Sequence, residues 1–482
     1  MRVLEGLEPK KVFYYFEEIA SIPHGSRNTK EISDYLVSFA KDHNLRYIQD
    51  ELNNVILFAE GTEGYEASEP IIIQGHMDMV CEKENGVDID FEKDGLSLLV
   101  EDDFVTADGT TLGGDDGIAV AYALAILDSK EIPHPPLEVV ITVDEEIGML
   151  GAYDIDLSML KGKKMLNLDS DVEGEFLTSC AGGMSLISRI PMEYVPQKGL
   201  VAKLTVSGLQ GGHSGAEIHK ERGNANILMG RVLKAIFDVT PFGIASMAGG
   251  LKDNAIPREC NAVILLPEEN KELVSEAVAS LDQAFKNEFM VSDPEVAVTV
   301  SFEAVKEEKI LNFSSVNKLI YFLRVTPNGV QNKSQVMENL IETSLNLGIL
   351  ELQEECLYMV TSVRSSVSTR KEELKERLCQ IVEMLGGEVE IEGDYPAWEY
   401  KPSSDMRTLI GEIYKELFGE EARFEAIHAG LECGIFSEKI EGLDCVSFGP
   451  TNYDIHTPKE RLSISSTERM WKLILEFLKR SK

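Results

Sequence analysis

Apolar side chains near the start of the chain recur at helical spacing. Phe13, Phe16, Ile19 and Ala20 fall on one face, ahead of the breaker Ser21-Ile22-Pro23. Ile32, Tyr35, Leu36 and Phe39 repeat the pattern and predict a second helix. The spacing then gives way to short continuous runs. Val55-Ile56-Leu57-Phe58 reads as a strand. Ile71-Ile72-Ile73, residues 137–143 (LEVVITV) and Met165-Leu166-Asn167-Leu168 read as strands covered on both faces. An alanine-rich helix at 118–127 lies among them. Such strands alternating with helices predict an α/β layer, with a mostly parallel sheet flanked by helices.

Near residue 186 the pattern changes. Residues 200–206 and 296–302 alternate apolar with polar like half-exposed strands, while 224–237 and 271–289 are amphipathic helices. They predict an α+β region with a largely antiparallel sheet. After Tyr395-Pro396 the earlier character returns, with a helix at 404–418, a short strand at Cys445-Val446-Ser447-Phe448 and a last helix at 466–478. A chain of 482 residues exceeds what one core covers, about 250–300 residues. The expectation is a discontinuous first domain, 1–186 plus 395–482, interrupted by an inserted domain at 187–394.

Composition is that of a folded globular chain, with 43% hydrophobic and 27% charged residues. Charge narrows the function classes. Acidic residues number 83 against 46 basic, a net charge of -37, which a duplex phosphate backbone or an anionic membrane would repel. Neither is expected as a partner. Most of this acidity serves solubility, leaving a minority of carboxylates for metal. The seven cysteines, Cys81, Cys180, Cys260, Cys356, Cys379, Cys433 and Cys445, are odd in number and lack C-x-x-C spacing. A disulfide framework or a cysteine zinc site is therefore not expected, and a reducing, cytoplasmic setting fits. Residues 1–11 mix charges and lack the apolar core of a signal peptide, and no uninterrupted apolar run reaches the roughly 18 residues of a membrane span.

Three predicted strands end alike. Ile71-Ile72-Ile73 runs into Gln74-Gly75-His76-Met77-Asp78, LEVVITV into Asp144-Glu145-Glu146, and MLNL into Asp169-Ser170-Asp171. Sites in open α/β sheets form outside the carboxyl ends of the strands, so these tips would gather at one edge. His76 and Asp78, two apart, face the same side of an extended chain. Thr111-Leu112-Gly113-Gly114-Asp115-Asp116-Gly117 adds a glycine-rich turn that lets a carboxylate approach closely, and Asn452-Tyr453-Asp454-Ile455-His456-Thr457-Pro458 adds a distant loop. Each motif alone has an ordinary explanation: a surface pair, a solvated acidic turn, a plain turn, a capping histidine. Their co-occurrence at strand ends and adjoining loops points to a metal centre.

This ordered set, His76-Met77-Asp78, Gly113-Gly114-Asp115-Asp116-Gly117, Asp144-Glu145-Glu146, Asn167-Leu168-Asp169 and His456, resembles the M20 family of zinc peptidases, in particular its aminoacyl-histidine dipeptidase branch. Gly211-Gly212-His213-Ser214-Gly215, Asn254-Ala255-Ile256-Pro257-Arg258, Val363-Arg364-Ser365-Ser366-Val367, residues 428–434 (HAGLECG) and Phe448-Gly449-Pro450 extend it over essentially the whole chain. The resemblance implies two divalent ions, Zn²⁺ before Co²⁺ or Mn²⁺. One would be held by His76, Asp115 and Asp169 and the other by Asp115, Glu146 and His456, with Asp115 bridging. Imidazole and carboxylate ligands suit Zn²⁺, and three protein ligands per ion leave a position for water. Asp78 would orient the His76 ring, and Glu145 would be the general base. The order of Glu145 and Glu146 rests on the family, and Asp116 is an alternative bridge to Asp115.

The resemblance further implies that the inserted domain is a lid and dimerisation domain. In dimeric relatives the histidine corresponding to His213 crosses to the partner subunit's site and stabilises the oxyanion, with help from the position of Asn254. Arg364 would take the free carboxylate of a dipeptide, against an ordinary surface ion pair, and Gly430 would supply a backbone contact. His219 and Arg222 carry no assignable role. The expected function is hydrolysis of dipeptides, of Xaa-His type or broader, by a cytoplasmic homodimer. An N-acyl amino acid deacylase or carboxypeptidase on the same fold is the alternative, and a non-catalytic metal-binding interaction module a further one.

Overall fold

The computed structural model describes residues 2–338 and 340–482. Its contacts divide the chain into two units, one comprising Met1–Cys180, Tyr400–Ala426 and Leu431–Lys482, the other Ala181–Glu399 and Ile427–Gly430. The strands Gly182–Pro191 and Glu388–Tyr395 pair with each other, Ile187 opposite Glu390, so both fall wholly in the second unit. The joins therefore lie a few residues outside those expected at 186/187 and 394/395. The four residues Ile427–Gly430, a return to the second unit inside a first-unit stretch, carry no pattern that would announce it.

The first unit holds an eight-stranded sheet in the order Arg46–Gln49, Val55–Ala59, Leu137–Thr142, Ile71–His76, Lys164–Asn167, Asp444–Ser447, Glu175–Cys180, Arg423–Ile427. Its centre, from Leu137–Thr142 to Asp444–Ser447, is the parallel run that the apolar segments predict. Antiparallel strands flank it at Val55–Ala59 and Glu175–Cys180. Every residue of Ile71–His76 and Leu137–Thr142 is buried, as strands covered on both faces require. The helix Gly114–Asp128 is apolar all round, so it cannot lie at a surface. It packs between Lys10–Ala20 and the strand Ile71–His76, and Tyr122 within it donates to the carbonyl of Thr467 at 2.8 Å.

The second unit is a nine-stranded sheet whose assigned pairings are antiparallel. The helices Ala225–Phe237, Lys271–Glu288 and Phe313–Val325 bury their apolar stripes into its core through Val232, Ile236, Val278, Phe285, Leu319 and Phe322. Asn224 caps the first of them, accepting from the N–H groups of Asn226 and Ile227. A four-stranded antiparallel sheet of Asn452–Tyr453, Arg461–Ser463, Phe104–Ala107 and Leu98–Glu101 completes the first unit. Its strands span two to four residues, too short to leave a period in the sequence.

Candidate active site

The parallel register places the site. His76 ends its strand opposite Thr142, and Gln74 lies opposite Asn167, so Asp144-Glu145-Glu146 and Asp169 leave the sheet at the same edge as His76. Asp144 takes a left-handed backbone, φ 55°, which aspartate tolerates, and its Oδ1 accepts the N–H of Arg27 at 2.6 Å. That turn redirects the chain just before the two glutamates. The fourth contribution comes from the start of the helix Gly114–Asp128. Gly113 at φ 67° and a cis bond between Asp115 and Asp116 precede its regular part. The fifth, His456, lies on the hairpin between Asn452–Tyr453 and Arg461–Ser463, also at positive φ, 61°.

Asp115 sits between the two imidazoles. Its Oδ1 is 3.1 Å from His76 Nε2 and its Oδ2 3.1 Å from His456 Nε2. Asp169 Oδ1 is 3.9 Å from His76 Nε2, and Glu146 Oε1 is 3.0 Å from His456 Nε2. One imidazole nitrogen carries at most one proton, so His456 Nε2 cannot donate to both carboxylates that face it. Glu146 Oε1 in fact accepts no hydrogen bond from a described residue although it is buried. A cation among these three groups satisfies all of them, and the donor set of imidazole and carboxylate is that of zinc-type sites. Asp116 also comes within ligand range, with His76 and Asp169. Its Oδ2, however, accepts the backbone N–H of His76 at 3.2 Å, and lies where a side chain on Gly75 would stand, 2.5 Å from an added Cβ.

Charge makes the same demand. Burial, aided by Asp115, Glu432 and Glu146 against His76, pushes Asp169 up to about 8. Burial likewise raises Glu145 well above the carboxylate range, again opposed by His76. Burial would raise Asp115 too, but hydrogen bonds from His456 and His76 hold it far below its usual value. Contacts with Asp115 and Glu146 raise His456 to about 10. Carboxylates outnumber imidazoles in this cluster, a donor set that could hold metal ions.

Asp78 lies beneath the cluster, fully buried. The nearest acceptor to His76 Nδ1 is the main-chain carbonyl of Asp78, at 3.0 Å, while its carboxylate stands at 3.5 Å. That carboxylate instead accepts the N–H of Glu145 at 3.0 Å, the N–H of Glu146 at 3.4 Å and the hydroxyl of Ser26 at 2.8 Å. The role expected for the side chain, holding the His76 ring, is thus taken chiefly by the backbone of the same residue, and the carboxylate fixes the main chain under both glutamates. One layer further in, buried Glu432 accepts from Gln74 Nε2 at 2.5 Å and Thr142 Oγ1 at 2.8 Å, and burial raises it to about 7.

The remaining expected residues lie in the second unit. His213 Nδ1 accepts the N–H groups of Gly215 and Ala216, at 3.2 and 3.0 Å, which assigns its proton to Nε2. Burial and Arg364 lower its pKa, so it is a neutral donor. Arg364 Nη1 donates to Tyr395 Oη at 2.9 Å, and its buried Nε has no hydrogen-bond partner among the described residues. The same holds for Nδ1 of His428, whose Nε2 meets Ser344 Oγ at 2.7 Å. Burial, Arg364 and His213 lower His428 to about 3. A Cβ on Gly215 would come within 2.5 Å of the His428 carbonyl, 3.0 Å of His213 and 3.1 Å of Arg364 Nε, so these groups converge around it. Gly430 ends the short segment Ile427–Gly430 that carries His428. Asn254 is exposed, and its carbonyl accepts the N–H of Ser214, tying its turn to the His213 turn at 2.8 Å. Arg222 pairs with Glu217 at 3.3 Å and donates to the carbonyl of Gly211, so it braces that turn. His219 is exposed.

Sequence reasoning did not single out Ser26, Glu432, His428, Tyr395 or Glu460. Glu432 and His428 lie inside a quoted motif, but nothing along the chain tells that their side chains are buried. Among the described residues no helix is long and apolar enough to cross a membrane.

The chain is similar to known proteins over its full length. The description of peptidase family M20/M25/M40 matches residues 72–480. The cytosol non-specific dipeptidase of Escherichia coli K12 is 35% identical over 481 residues, 99% of each chain. The crystal structure of an aminoacylhistidine dipeptidase from Vibrio alginolyticus superposes with a TM-score of 0.93 at 34% identity, covering 99% of this chain and 97% of that one. The aminopeptidase PepT of Bacillus cereus shares the fold, with a TM-score of 0.56 at 15% identity over 98% of this chain. By the family match and these full-length likenesses, the chain belongs to peptidase family M20/M25/M40.

Proposed function

We propose that this chain is a two-metal dipeptidase. The observation that carries the reading is the position of Asp115, one oxygen toward His76 and the other toward His456 at equal distance. In this reading His76, Asp115 and Asp169 hold one ion and Asp115, Glu146 and His456 the other, with Zn²⁺ the favoured metal. Bound there, the pair supplies Lewis acidity toward the scissile carbonyl and toward water.

The chain's own groups do the rest. Glu145, not a ligand, takes the proton of the attacking water and passes it to the leaving amine, a task suited to a carboxylate raised by burial. Asp78 holds the backbone of Glu145 and Glu146 so that adjacent side chains keep separate tasks. In this reading Ser344 Oγ donates to Nε2 of His428, so its unpartnered Nδ1 joins the unpartnered Nε of Arg364 as a donor, and the two suit the free carboxylate of a short peptide. Nε2–H of His213 is a donor for the oxyanion, with Asn254 and Gly430 beside it in the reading. The full-length likeness to two dipeptidases supports a dipeptide over an N-acyl amino acid or a longer peptide. The reading also takes the enzyme as a cytoplasmic homodimer whose His213 serves the neighbouring chain.

Turnover on a panel of dipeptides, tripeptides and N-acyl amino acids tests it, with elemental analysis of the same preparation. Dipeptide cleavage with two ions per chain is expected. Saturation at one ion, or cleavage confined to N-acyl amino acids, would overturn it.

A further inference from the structure

The hairpin that carries His456 also carries a carboxylate four residues on, Glu460. Glu460 is buried, 2% exposed. Its Oε2 accepts the backbone N–H of Leu112 at 2.7 Å and of Gly113 at 3.1 Å. Its Oε1 accepts the N–H of Gly114 at 2.8 Å, the N–H of Asp115 at 3.3 Å, and Nδ2 of Asn452 at 3.0 Å. A buried carboxylate is costly without partners, and here its partners are the four successive amides that present the Asp115 side chain. Those amides open the helix Gly114–Asp128, where N–H groups lack partners within the helix and a negative charge is favoured.

The loop fits tightly. An added Cβ on Gly114 would stand 2.7 Å from Asn452 Nδ2 and 3.1 Å from Glu460 Oε1, so nothing larger than glycine lets the carboxylate reach these amides. Thus one hairpin grips the Asp115 turn twice: through its main chain at Glu460, and through the Asp115 carboxylate at His456. Asp169 and His76 need no such help, since they extend directly from paired strands.

We infer that Glu460 is a positioning residue for the metal centre, which by holding the main chain of residues 112–115 sets the bridging geometry of Asp115 and keeps it in register with His456. The inference rests on the two-ion reading above. Losing this grip should weaken chiefly the ion bound between Asp115, Glu146 and His456. Groups behind metal ligands typically contribute about 10–100-fold in metal affinity.

The test is stepwise Zn²⁺ binding to the full chain, by competition with a chromophoric chelator, for wild type, Glu460→Gln, Glu460→Asp and Asn452→Ala. Glu460→Gln removes the charge and turns an amide N–H₂ toward backbone donors. It should weaken one of the two ions by about 10–100-fold and leave the other within a few-fold. At saturating Zn²⁺ its KM for a dipeptide should match wild type. Asn452→Ala, which removes one of the five donors, and Glu460→Asp, which keeps the charge, should show the same selective loss to a smaller degree. A merely structural role would lower the melting temperature of the chelated protein and leave both affinities unchanged; that result overturns the inference. Should Glu460→Gln not fold, unchanged affinities in both milder variants overturn it equally. A wild type that binds fewer than two ions rejects the two-ion reading itself, whatever the variants do.

Discussion

Replacing Asp78 by asparagine separates two roles that its position under the cluster combines. If its carboxylate served mainly to orient His76, Asp78→Asn would weaken metal binding. The distances argue otherwise. His76 Nδ1 has the Asp78 carbonyl at 3.0 Å, and asparagine keeps that carbonyl. The carboxylate's close partners are the Glu145 N–H at 3.0 Å and the Ser26 hydroxyl at 2.8 Å. Asparagine keeps one oxygen and turns an N–H₂ toward the other donor. Ser26 can rotate its hydroxyl to accept, so the loss falls on the charge of the bond under Glu145. A hydrogen bond to a charged group contributes about 1.5–3 kcal/mol. If that is withdrawn from the transition state through a displaced Glu145, kcat/KM falls by about 10- to 150-fold. Asp78 is buried, so bulk solvent does not compensate the change. The assay is steady-state dipeptide cleavage beside metal content by elemental analysis. Two ions retained with that loss of turnover is the expected outcome. Loss of an ion with turnover restored by added metal would refute the argument and return Asp78 to the His76 ring.

Three further outcomes follow from the site. Glu145→Gln should keep both ions and lose about 10²–10⁴-fold in kcat, whereas Glu146→Gln should lose an ion; elemental analysis and kcat for the pair would expose an exchanged assignment. Asp115→Ala should abolish binding of both ions and His456→Ala weaken mainly one, read by titration with Zn²⁺; an Asp115→Ala chain that retains two ions would rule out the bridge. Without metal, Asp169 at about 8 and His456 at about 10 both stand above their ordinary values, so each stabilises the fold most in its protonated form. The His456 contribution is complete below about pH 6.5 and lost as pH rises through about 10, and the Asp169 contribution fades from about pH 4 through 8. The chelated protein should therefore melt at lower temperature as pH rises from 6 to 9, Zn²⁺ should remove most of that slope, and calorimetry in buffers of different ionisation enthalpy should register proton release on binding at pH 7. A flat profile without metal would contradict the charge balance of the cluster.

Much of this protein is legible along the chain because its signals are local and periodic. Continuous runs such as Ile71-Ile72-Ile73 and LEVVITV mark strands covered on both faces, since only there can apolar side chains point both ways without meeting water. Once such strands are parallel, their carboxyl ends share an edge. His76, Asp144-Glu145-Glu146 and Asp169 are thus brought together by the strand pattern alone. The glycine-rich turn of Asp115 and the distant loop of His456 stood out as further candidates, and their ligand roles entered through the resemblance of ordered motifs, which is sequence information too.

Tertiary structure alone decided what those residues touch. Glu460 reads as one more acidic side chain in a chain with a net charge of -37, and its burial against four backbone amides depends on a hairpin that returns to residues 112–115 across more than three hundred positions. Asp78 was expected beneath His76, but whether its carboxylate or its carbonyl meets the ring is a matter of a few tenths of an ångström. His428 and Arg364 lie far apart in sequence, and their unpartnered nitrogens emerge only when the sheet and the segment Ile427–Gly430 fold together. Local pattern fixes which face of an element is apolar. It carries no information on hydrogen bonds between distant segments, because these form only after the core has set the register.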